Sequence, residues 1–365
     1  MIIQNRPAER EFSDNLGEIL IFNAATVKLE VAIDGWKTIF SQSLMGYDYG
    51  DGHIVEFNLG ELIEPYSKEF SSFPLVIKIK NGDIEETINT WVFHHDGDIE
   101  DAFDEFCGNH FLTNATSRRT TLQRKESLYF PYGGELMRNA GASLRVYYDD
   151  NTITDYPLTV NTATTQNIRY LSFKGSDYVQ EGKTIYRMVA ILTTEVLDAN
   201  HEVKETRYAT MEYLIDFEHE AEEGPVFIYE NAFGVPEKFY ATGNVEADAN
   251  IERDSAVING VYKNYRQRMV RQWKVDSGIL SPEEAEVLLE MFRSPHIMQC
   301  KIDKWGEYSE WKEVAIIKSD QKYTDDDDSQ PRYTFTYRNA ERHVSAQSSK
   351  NYPYIFGEEH SVMFE

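Results

Sequence analysis

A chain of 365 residues is too long for one ordinary domain and suits two or three; with 41 % hydrophobic and 27 % charged residues it can build packed cores, which excludes wholesale disorder. The 62 acidic side chains outnumber the 36 basic ones and leave a formal charge of −26. Such a field repels phosphate backbones and disfavours anionic bilayers, so nucleic acid is not expected as a partner; it keeps an assembling protein soluble or suits a basic partner or a cation.

The 13 % aromatic share suits half-buried strands, where a large ring packs on a pleated surface. The first twelve residues are polar, with Arg6, Glu9, Arg10 and Glu11, and are no signal peptide. Nor does any run approach the roughly 20 apolar residues needed to cross a bilayer. The expectation is a chain made in the cytoplasm without membrane insertion. Cys107 and Cys300 lie far apart, outside any Cys/His cluster, so zinc is not expected and two buried free thiols are favoured over a long disulfide.

The first region, residues 1–120, is expected to be a β-sandwich-like domain. Residues 19–22 form an apolar run. In 27–33, Val27, Leu29, Val31 and Ile33 alternate with Lys28, Glu30 and Ala32, the period-2 pattern of a half-buried strand. Asp34-Gly35 supplies a turn before 36–40, and 53–59, 75–80 and 86–93 read as further strands. The Asn81-Gly82 pair between the last two marks a β-hairpin. Residues 114–124, small, polar and basic, read as a linker or crossover.

The second region, 121–222, is expected to be a β domain with a long hairpin, 184–197 with 203–217, joined by Asp198-Ala199-Asn200-His201. Strands are also expected at 143–148, 156–160 and 167–173, with a turn at Asp149-Asp150-Asn151.

The third region, 223–340, reads as a smaller α+β module. Strands are expected at 226–229, 238–246, 255–258 and 265–275. Then comes the only helix expected in the chain: Ser281 as N-cap, Pro282 at the first helical position, Glu284 completing a capping box, and Pro295 ending it. Its apolar face is read as Ala285, Leu288, Leu289 and Phe292. Three strands follow, at 297–302, 311–318 and 333–337, and a polar tail occupies 341–365. The fold class is therefore mainly β: serial sandwich-like domains, then an α+β module with one short helix.

No Gly-rich phosphate loop, hydrolase Ser turn or paired-His zinc helix occurs, so no catalytic, cofactor-binding or metal-ligating residue is assigned. His94-His95-Asp96 with Asp98 reads as a polar loop after a strand, since neighbouring strand residues point to opposite faces. Asp48 to Asp51 and the run Asp325 to Asp328 fit either calcium, through several carboxylate oxygens, or solvated turns; neither has EF-hand spacing. Paired carboxylates for glycan hydrolysis and an aromatic face for binding carbohydrate or a receptor remain alternatives.

One segment is more distinctive. Phe227-Ile-Tyr-Glu-Asn231-Ala-Phe233-Gly234-Val-Pro-Glu237-Lys-Phe239-Tyr240-Ala-Thr242-Gly243 turns between two strands through Asn-x-aromatic-Gly. Gly234 can take the positive φ such a turn demands, and the Asn231 side chain can bond local backbone. The corner is assigned to Asn231, Phe233, Gly234, Glu237, Tyr240 and Gly243. Together with the downstream unit (helix, strand, strand, acidic turn and final strand), it resembles tail and other virion-associated proteins of phages and prophages of gut Bacteroidetes. The likeness covers about residues 225–340. It implies a virion building block of tail, tail-tip or baseplate type, without an enzyme's chemistry. Such a block contacts copies of itself, in a ring-type homo-oligomer, and neighbouring virion proteins.

Overall fold

The computed structural model describes residues 1–50, 52–97, 99, 101–132, 141–162, 167–197, 202–219, 224–258, 261–320 and 331–340. The turn expected at 198–201, Asp51, Asp98, the aspartate run 325–328 and the tail 341–365 lie outside these residues. The protein is mainly β, with 24 strands and three α-helices among the described residues.

The first region comprises β1 (Ile2–Gln4), β2 (Arg10–Phe12), β3 (Glu18–Phe22), β4 (Thr26–Ile33) and β5 (Lys37–Met45). It continues with β6 (Tyr47–Tyr49), β7 (Gly52–Asn58), α1 (Leu59–Ser67), β8 (Ser72–Asn81) and β9 (Ile84–Phe93). Two sheets result, in the orders β1-β3-β7-β6 and β2-β9-β8-β4-β5. Alternation in β4 buries Val27, Leu29, Val31 and Ile33, which share one core with Ile19, Ile21, Val55, Ile77 and Ile79. The β8–β9 hairpin closes with Asn81 opposite Ile84, so its two loop residues are Gly82 and Asp83, and Gly82 takes φ 60°. The turn thus sits one residue later than Asn81-Gly82 suggests.

The single-helix expectation is corrected here. Residue 59 opens α1 instead of ending a strand, because the Asn58 side chain accepts the Glu61 N–H at 3.1 Å and caps it. Leu59 and Ile63, one turn apart, then bury together in the sandwich core.

Residues expected in the first region supply α2 (Phe103–Asn109) and β10 (Ser117–Thr120), the latter joining the sheet of the second region, which itself holds β11 (Lys125–Pro131), β12 (Gly141–Tyr148) and β13 (Ile153–Pro157). Then come β14 (Val160–Thr162), β15 (Ile168–Lys174), β16 (Ile185–Leu197) and β17 (Val203–Ile215). The long β16–β17 hairpin is present, in the sheet β10-β17-β16-β12-β13, and a second sheet runs β11-β15-β14. The supposed linker at 114–124 contains a strand. β10 runs parallel to β17, with Arg118 opposite Tyr213. The buried residues of this stretch include Arg118, Thr120, Thr121 and Arg124. Its basic composition imitates a solvated loop, but Arg118 and Arg119 pair with Glu237 and Glu284 far along the chain.

The third region contains β18 (Val226–Glu230), β19 (Pro236–Tyr240), β20 (Val245–Ile258), β21 (Val261–Asp276), α3 (Pro282–Arg293), β22 (Ile297–Ile302), β23 (Tyr308–Asp320) and β24 (Thr334–Asn339). They form one sheet, β19-β18-β22-β23-β24-β21-β20. The strand expected at 238–246 is two strands with a break at 241–244, where a Cβ on Gly243 would stand 2.6 Å from Asp276 Oδ1. The capping box at Ser281 and Glu284 forms as expected. The buried face of α3 is Ala285, Val287, Leu288 and Met291, with Leu289 and Phe292 only partly covered, so it is rotated from the expected one. The helix packs against a core that runs without a break from Phe111 and Leu128 through Met211 to Phe227, Phe335 and Tyr337. Cys107 and Cys300 are buried and unpaired.

Candidate functional site

The corner between β18 and β19 is built around the Asn231 side chain. Its Oδ1 accepts the backbone N–H groups of Phe233 (3.0 Å) and Val235 (3.2 Å), and its Nδ2 donates to Leu112 O (2.9 Å) and Glu237 Oε2 (3.0 Å). An amide has two acceptor lone pairs and two donor hydrogens, so this side chain is satisfied while only 3 % exposed. Gly234 takes φ 66° and donates its N–H to Asn231 O at 2.9 Å. A Cβ there would stand 3.0 Å from His94 Cδ2, so both conformation and space call for glycine.

The corner also ties the first region to the rest. Ser71 Oγ donates to Gly234 O at 2.6 Å, and the Asp96 N–H donates to Ala232 O at 2.9 Å. The Phe233 ring lies 4.7 Å from His95, 5.4 Å from Phe106 and 6.0 Å from Phe12, within a small cluster that includes Phe93, Phe103 and Ile168. His94 and His95 do follow β9 in a loop, as expected, but they are buried against the corner and not solvated. Burial pushes the His94 imidazole down to about 4, so it is neutral at physiological pH.

A charged layer lies behind the corner. Arg118, in the stretch taken for a linker, forms a buried ion pair with Glu237 and donates to Thr113 Oγ1 at 3.0 Å. Glu126 accepts from Thr120 Oγ1 at 2.6 Å. Lys238 donates to Lys125 O at 2.5 Å, and Tyr240 meets Tyr308 hydroxyl to hydroxyl at 3.2 Å. At the edge, Arg119 embraces both carboxylate oxygens of Glu284 in the first turn of α3. Of the six residues read from the sequence as a corner, Asn231, Phe233, Gly234, Glu237 and Tyr240 sit at or beside this hub, whereas Gly243 lies against Asp276. Arg118, Arg124, Glu126, His94 and Ser71 were missed; their signal lay only in the Arg118-Arg119 pair and the His94-His95 pair, neither of which names its partner.

Glu290 completes the hub. Its Oε1 accepts the Ala232 N–H at 2.7 Å, and burial, helped by the charge of Glu237, raises its carboxyl to about 7. The folded state holds a proton that the unfolded chain, at 4.5, releases first. The stabilisation is complete below pH 4.5 and is lost as pH rises through 7, by up to roughly 3 kcal/mol. Glu290→Gln, which keeps an acceptor for Ala232, should flatten this loss: urea midpoints measured at both ends of that window should differ less than in wild type. An equal fall in both proteins would refute the assignment.

The acidic segments carry less. Asp48 Oδ1 lies 3.2 Å from His53 Nε2, and Asp48 is exposed. Among the described residues no three His, Cys, Asp or Glu side chains converge as metal ligands, and no helix is long and apolar enough to cross a membrane. No protein-family model matches the chain, and no curated protein matches its sequence.

Proposed function

We propose that the chain is a structural component of a bacteriophage virion, of tail, tail-tip or baseplate type, acting through protein–protein assembly. The observation that carries this reading is an arm. β20 and β21 pair from Val245↔Val275 out to Ile258↔Val261, whereas β24 supports β21 only at Trp273–Asp276. Among the described residues, the ribbon runs for about twelve residues beyond the sheet as two strands alone, a reach of roughly 40 Å. An isolated two-stranded ribbon is marginal in water, and its open edges are templates for pairing with another chain.

The arm's sequence favours a second copy as the first partner. β21 carries Lys263, Arg266, Arg268, Arg271 and Lys274 in a chain of net charge −26, while β20 carries Glu246, Asp248, Glu252 and Asp254. With Arg253 and Asp276 included, the ribbon holds six basic against five acidic residues, so in a chain of net charge −26 it is a segment that a second copy repels little. The corner supports the same reading, since a hub tying the body together gives the arm a firm base. The likeness to tail proteins over residues 225–340 supplies the virion context and neighbouring virion proteins as further partners.

Light scattering and negative-stain imaging of the purified chain should show a discrete oligomer, of ring type. Mass spectrometry of particles from the source prophage should detect the chain at multiple copies. A persistent monomer that is missing from particles would defeat the proposal. A second reading, binding of carbohydrate or a receptor, rests on the exposed Tyr47 and Tyr49 of β6. A glycan array comparing wild type with Tyr49→Ala tests it, and a blank array ends it.

A further inference from the structure

A small cavity behind the corner, about 40 Å³, is walled by Arg118, Arg119, Arg124, Lys238, Tyr240 and Glu284, among others. Four cationic side chains meet there in a protein that is otherwise strongly acidic. Three of them have acceptors: Arg118 has Glu237, Arg119 has Glu284, and Lys238 gives one of its three hydrogens to Lys125 O. The carboxylates nearby are engaged in turn. Asp216, also on the wall, binds the ring of His219 at 2.9 Å and the N–H of Glu218, and Glu126 accepts from Thr120 while its charge acts on Arg118 and Lys238.

Arg124 is different. It is 2 % exposed, its guanidinium stacks 4.1 Å above the centre of the Tyr240 ring, and its Nε and Nη2 have no hydrogen-bond partner. Arg118 Nε is likewise unpartnered. A buried guanidinium with idle donors is costly, because it has given up water for no acceptor. The planar fork of Nε and Nη2 matches two oxygens of one oxyanion, and stacking on Tyr240 holds it in place. The cavity has room for roughly three waters, enough for a compact tetrahedral ion and too little for a nucleotide or a sugar.

We propose that this cavity binds a compact inorganic oxyanion of the phosphate or sulfate class, with the Arg124 fork as principal donor and Arg118 Nε and Lys238 as supporting cations. The ion would join the 117–124 segment to β19, so it acts as a structural ligand at the seam between the second and third regions. Its signature is stabilisation by mass action: apparent stability rises with ligand concentration for as long as only the folded state binds.

The test uses the full chain in a fixed chloride background, titrated calorimetrically with inorganic phosphate. The expected result is saturable binding, one ion per chain, displaced by sulfate and not by added chloride, with a melting temperature that rises with occupancy. Arg124→Met should abolish the response, while Arg145→Met, at an exposed ion pair with Asp155, should keep it. A general salting effect would rise without saturation and equally in both variants, and would overturn the proposal, as would failure of wild type to bind. Should Arg124→Met not fold, anomalous density from selenate soaked into wild-type crystals decides: a peak against Arg124 supports the site, and peaks only elsewhere refute it.

Discussion

Replacing Glu237 with alanine is expected to destabilise the protein by about 3–5 kcal/mol, the usual cost of removing one partner of a buried ion pair. Arg118 and Glu237 are 8 % and 5 % exposed, and Glu237 also accepts from Asn231. Alanine would leave a guanidinium stranded beside a cluster that already holds Arg124 and Lys238, and would free one hydrogen of the Asn231 amide. The charge of the pair, more than its attraction, sets the penalty. The double variant Arg118→Met/Glu237→Met, which removes both charges and fills similar volume, should therefore recover most of the loss. Urea unfolding of wild type, Arg118→Met, Glu237→Met and the double variant, beside Glu237→Ala, measures this. A single-variant cost below about 1 kcal/mol, typical of exposed pairs, would show that the layer is solvated and not buried.

Phe233→Ala is the second large effect, again about 3–5 kcal/mol for a fully buried ring whose neighbours are too constrained to close over the gap. The ring is 1 % exposed and touches residues from the first region (Phe12 and His95) as well as Phe106 of α2. Its loss should fall unevenly. The first region keeps its own core of Val27, Leu29, Ile77 and their neighbours, so it should stay folded while its attachment loosens. Limited proteolysis of the variant should cut between about residues 94 and 102, releasing an intact N-terminal fragment before global unfolding. Uniform destabilisation without early cleavage would mean that the corner does not govern this attachment.

What could be read from the sequence follows the range of the forces involved. The box at Ser281 and Glu284, the alternation from Val27 to Ile33 and the positive φ of Gly234 are settled within a few residues of each position, so local chemistry suffices to see them. The stretch 114–124 is the opposite case. Arg118 is buried because Glu237 stands 119 positions later in the chain, and Arg119 is held by Glu284, 165 positions on; no local pattern announces either. α1 was hidden because its cap, Asn58, ends a strand and Pro65 interrupts the helical pattern. α2 was hidden because seven residues leave too few turns for a periodicity to show.

The arm is legible in part: the strands expected at 255–258 and 265–275 fall within β20 and β21, but their continuous pairing does not follow from those two runs. Asn259-Gly260 stands between an acidic run and a basic one, a strong signal for a two-residue hairpin turn. Its strands lack clean apolar alternation, as expected for a ribbon that has no core face of its own. Of the candidate site, Asn231, Gly234 and Glu237 were visible as a turn that needs them, whereas the depth of the hub was not. Ser71, His94 and Leu112, which meet the corner from earlier parts of the chain, carry no mark of that role.

Shortening the arm asks the central question most directly. Residues 250–270 are replaced by a two-residue turn that rejoins Ala249 to Arg271, cross-strand neighbours in the ribbon, and the product is compared with the full chain by sedimentation velocity. The full chain is expected to sediment as a discrete oligomer and the shortened one as a monomer with an unchanged melting temperature. If both sediment alike, whether as monomers or as the same oligomer, the arm does not drive assembly.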